Sequence, residues 1–60
     1  MTPDYAMKLF LQGETQPLFL AITRFECPVQ AAKFVAECIS IALYENGPME
    51  ADALIRFLQR

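Results

Sequence analysis

A chain of 60 residues that is 55% hydrophobic and 20% charged has the make-up of one small domain and excludes a disordered tail. Seven acidic residues against five basic ones leave a net charge of −2. Proteins that neutralise phosphates carry a basic footprint, so this balance argues against DNA or RNA as a partner.

Domains this small bury only about 60% of their unfolded surface. A mean hydropathy of +0.27 therefore points to association that hides excess apolar surface. A membrane span needs about 18 apolar residues. The longest purely apolar stretch, Leu18 to Ile22, is far shorter. Met1-Thr2-Pro3-Asp4 lacks the basic region of a signal peptide. The expected location is the cytoplasm, with no membrane association.

The first half carries a near-mirror pattern. Leu9-Phe10-Leu11 precedes the polar stretch Gln12 to Pro17, and Leu18-Phe19-Leu20 follows it. Two apolar runs around a loop with Gly and Pro predict a β-hairpin over residues 5–25. With a loop from Gly13 to Gln16, Phe10 faces Phe19 across the strands. Met7, Leu9, Leu11, Leu18, Leu20 and Ile22 then share the other sheet face. A competing reading makes residues 3–12 helical. Thr2 is then the N-cap, Pro3 the first helical residue and Gly13 the residue after the C-cap. Asp4, Lys8 and Gln12 would form its polar stripe, and residues 5–12 contain no β-branched residue. The hairpin is the preferred expectation, which makes the fold α+β, with strands followed by one long and one short helix. The alternative is an all-α chain.

Pro28 to Asn46 is the best-marked element. Pro28 suits the first helical position, and Asn46-Gly47-Pro48 supplies the stop. At 100° per residue, Gln30, Lys33, Glu37 and Ser40 form a narrow polar wedge bordered by Tyr44. The apolar arc spans roughly 240°, against the ~100° or somewhat more of an ordinary surface helix. A hairpin and a last helix cover only part of it. Phe34, Cys38 and Ile41 are therefore the expected interface of a C2 homodimer.

The last helix is expected from Pro48 to about Gln59. Ala51, Leu54, Ile55 and Leu58 form its apolar face. Glu50 and Asp52 sit in its first turn, and Arg56 and Arg60 near its end, as the helix dipole favours. Asp52 and Arg56 are spaced i, i+4.

Little in the chain suits catalysis. There is no histidine, and Gly13 and Gly47 stand alone, without the glycine-rich pattern that cradles phosphate. Cys27 and Cys38 do not match a zinc pattern. On one helix they lie roughly 16 Å apart at 1.5 Å per residue, too far for a disulfide. Free thiols in a reducing compartment are expected. Cys27 near a helix N-terminus has reactivity as its sharp alternative, but a small residue filling the cap is the simpler account. Glu45, Glu50 and Asp52 cluster near the interhelical turn, and such carboxylates more often complement a dipole than catalyse.

The expected function is a non-enzymatic interaction or regulatory module that binds an as yet unidentified protein and uses no cofactor or metal. The candidate partner surface comprises Phe10 and Phe19 on the hairpin with Glu45, Glu50 and Asp52. From Leu18 onward, the expected order strand, helix, helix resembles ribbon-helix-helix repressors in topology. That resemblance implies a dimeric DNA-binding regulator whose strands enter the major groove. Between Leu18 and Phe25 only Thr23 and Arg24 could read bases, so this reading ranks second.

Overall fold

In the computed structural model, which describes residues 1–59, the chain folds into four helices. They are α1 (Pro3–Leu11), α2 (Gln16–Thr23), α3 (Pro28–Ile41) and α4 (Pro48–Leu58). A π-helical turn, Ala42–Asn46, extends α3. Arg60, expected at the end of the last helix, lies outside the described residues.

The β-hairpin is wrong, and with it the α+β class: the described residues contain no strand. The competing helical reading of residues 3–12 describes α1 correctly. Thr2 caps it, its Oγ1 accepting from the Tyr5 N–H at 3.3 Å, and Pro3 enters where no intrahelical donor is needed. At the other end, the Gly13 N–H donates to the Phe10 carbonyl and the Glu14 N–H to the Leu9 carbonyl, each at 3.0 Å. This crossed pair is the Schellman closure, and it places Gly13 at φ 92°. The polar stretch taken for a hairpin loop is therefore a helix stop followed by a helix start.

α2 carries the rest of the correction. Pro17 stands in the first turn of a helix rather than at the start of a strand. Leu18, Ala21, Ile22 and Phe25 recur at helical spacing. Leu18 is fully buried, and the other three pack half-buried against the core. The mirror-like Leu-Phe-Leu runs are too short for periodicity to separate helix from strand.

α3 begins at Pro28 after Cys27, whose side chain makes no capping hydrogen bond. The apolar periodicity predicted one α-helix to Asn46. Its last turn instead widens, the Gly47 N–H reaching back five residues to the Ala42 carbonyl at 2.8 Å. Gly47 then takes φ 95° and ψ 179°, and Pro48 opens α4.

The core consists of Ala6 and Met7 from α1, Leu18 from α2, Phe34 and Cys38 from α3, Ala42 from the π turn, and Ala51 and Leu54 from α4. No polar or charged side chain among the described residues is buried. Two ring pairs brace the edges. Phe10 meets Phe57 edge to face, and Phe25 lies tilted against Phe34 with centroids 5.5 Å apart.

Candidate functional site

The helical fold redistributes the residues singled out from the sequence. Phe10 and Phe19 do not face each other across strands. Phe10 is half-buried on α1 against Phe57, whereas Phe19 stands exposed on α2. Phe34 and Cys38, expected beneath a second subunit, are buried inside the single chain, and Ile41 is half-buried beside them. The wide apolar arc of α3 is thus partly covered by α1 and α2 packing where strands were expected.

Part of the apolar surface that remains lies on α2. Phe19 is 50% exposed and Leu20 42%. Open grooves flank this helix on both sides. One, of about 420 Å³, is lined by Met1, Pro17, Leu20, Arg24, Phe25 and Phe34 among others. The second, of about 430 Å³, is lined by Gln16, Phe19, Ile22, Thr23, Phe57 and Leu58 among others. The Thr23 hydroxyl donates to the Leu20 carbonyl at 3.2 Å, so this polar group is already satisfied within the helix.

A second exposed region surrounds the junction of the π turn and α4. Tyr44 is 93% exposed, Met49 84% and Leu43 about half. Sequence reasoning placed Tyr44 only at the border of a polar wedge and gave Met49 no role. The usable signal was the stop Asn46-Gly47-Pro48, which leaves side chains on either side of it without a neighbouring turn to cover them. Of the three carboxylates expected here, Glu45 is exposed and Glu50 half-buried. Asp52 is held by Arg56 at 3.0 Å on the exposed face of α4.

The two thiols differ. Cys27 is exposed and Cys38 buried, and both are free. Burial, with the nearby Glu37 and Asp4 carboxylates adding to it, pushes the Cys38 thiol up to about 11. At neutral pH it is an apolar filler, not a nucleophile. Among the described residues no group of three His, Cys, Asp or Glu side chains is placed to hold a metal ion. No described helix is long and apolar enough to cross a membrane.

Nor does the topology support the ribbon-helix-helix resemblance. Its required strand, Leu18 to Phe25, coincides with α2 and the turn after it. No family model matches the chain, and no curated protein or solved structure is significantly similar to it.

Proposed function

We propose that the chain is a non-enzymatic interaction module that binds another protein through the junction between the π turn and α4. The observation that carries this reading is the exposure of Tyr44 and Met49 on either side of Gly47. Tyr is enriched among the residues that dominate binding energy, because it hides a large apolar ring and keeps a polar tip. Met adapts its shape to irregular partners. Neither contributes to the core of the chain, so their apolar surface is available to a partner.

Glu45 and Glu50 give the junction a negative rim, and the partner surface that suits it is apolar at the centre and basic at the edge. In the cytoplasm, the compartment we infer from the free thiols, Cys27 and Cys38 stay reduced.

The test is affinity capture from the source cell with the full chain, beside the variant Tyr44→Ser/Met49→Ser and the control Lys33→Ser. A protein retained by the native chain and the control, and lost with the double variant, is the expected result. Equal capture by all three, or by none, would overturn the proposal.

A further inference from the structure

We infer that the face of α2 is covered by a second copy of the same chain, with the two α2 helices packed antiparallel about a two-fold axis. This surface is distinct from the junction carrying Tyr44 and Met49, and the inference is independent of the partner proposed there.

From Gln16 to Thr23 there is no charged residue. Its polar side chains, Gln16 and Thr23, stand at its two ends, and the apolar run between them is of the kind that is normally buried. Here only Leu18 is fully enclosed. Thr23 has turned its hydroxyl to its own helix, which leaves the Gln16 amide at the N-terminal end as the polar side chain that a covering surface has to accommodate.

The choice of a second copy rests on the charges at the two ends. Glu14 stands just before α2 and Arg24 is its C-cap residue; both are exposed. Among the described residues neither has an ionic partner, the only such pair being Asp52 with Arg56. An antiparallel pairing brings Glu14 of one copy towards the partner's Arg24, and does so twice. In that register the two-fold axis passes beside position 19, so Phe19 of one copy meets Phe19 of the other, with Leu20 flanking the contact. A parallel pairing would place Glu14 beside Glu14 at one end, while the other end carries Arg24 together with the exposed Glu26. The antiparallel direction avoids that repulsion and gives each Glu14 a cation in the other copy, which favours a two-fold pair.

The size of the surface sets the strength. A helix of eight residues is about 12 Å long. Standard interfaces cover about 800 Å² on each partner, more than such a helix and its grooves offer. The dimer is therefore a reversible one whose population follows concentration.

Sedimentation equilibrium of the full chain from micromolar to millimolar concentration tests this. The mass should rise from 6.8 kDa towards twice that value and stop there. Leu20→Lys should hold the chain at the monomer mass with unchanged helical circular dichroism. Glu14→Arg and Arg24→Glu should each weaken association several-fold, and the two together should restore it. A monomer mass at the highest concentration would overturn the inference. So would association that ignores Leu20→Lys or is not rescued by the double exchange. If Leu20→Lys fails to fold, the charge exchange alone decides.

Discussion

The rings of Phe10 and Phe57 meet edge to face, with centroids 5.4 Å apart and planes inclined at 61°. This contact ties the first helix to the last, near opposite ends of the chain. Edge-to-face pairs contribute about 0.5–1.5 kcal/mol beyond the area they bury. Phe10→Ala should destabilise the fold by about 2 kcal/mol, below the range for a fully enclosed ring because Phe10 is half-buried. A double-mutant cycle with Phe57→Ala, read by urea denaturation, should show a coupling of about 1 kcal/mol. Additive losses would mean the rings merely share a surface.

Gly47 and Gly13 both have positive φ, and an added Cβ would meet no atom within 4 Å at either. Replacement therefore strains the backbone without a clash. Gly47, at φ 95° and ψ 179°, lies in a region essentially closed to other residues. Gly47→Ala should cost about 2 kcal/mol and Gly13→Ala about 1 kcal/mol. Thermal unfolding of the two variants reads the order directly. Equal melting temperatures would remove the distinction.

Cys38 makes stability depend on alkaline pH. Its folded pKa of about 11 lies above the ordinary value of 9.0, so the folded state holds the proton longer than the unfolded one. The contribution is fully present below pH 9 and is lost as pH rises through 11. Its full size is about 3 kcal/mol, two pKa units at roughly 1.4 kcal/mol each. Denaturation midpoints at pH 8 and pH 10.5 should fall more for the native chain than for Cys38→Ala; parallel falls would refute the assignment. At pH 8, iodoacetamide should label Cys27 in the folded protein and Cys38 only after denaturation.

The Asp52–Arg56 pair should matter little to stability. It spans 3.0 Å but is exposed on both sides. Such i, i+4 pairs contribute about 0.3–0.5 kcal/mol. Asp52→Ala should shift the unfolding free energy by less than about 0.5 kcal/mol, and 1 M salt should remove most of the difference. A larger effect would mean that Asp52 does more than pair with Arg56.

The second half of the chain was more legible in the sequence than the first. Pro28 and Gly47-Pro48 are punctuation with a steric cause, and the pattern between them is long enough to reveal its period. Thr2-Pro3 and Gly13 were equally good punctuation for α1. They were outweighed by the resemblance between Leu9-Phe10-Leu11 and Leu18-Phe19-Leu20, which arises because two short helices each offer an apolar face to the same core. The burial of Phe34 and Cys38 could not be read from α3 itself, since it depends on how much area α1 and α2 cover as helices. The exposure of Tyr44 and Met49 follows from the widened turn and the break at Gly47, which residue periodicity does not encode.

Three alanines, Ala6, Ala42 and Ala51, come from α1, the π turn and α4, and all are buried. Their small size sets how closely these segments approach, and a larger side chain at any of them has to push two segments apart. Met7, Leu18 and Leu54 can exchange with other large apolar residues if total volume is kept. A distant relative of this fold would thus be betrayed less by its large core residues than by what stays small: positions 6, 42 and 51, with glycine at 13 and 47.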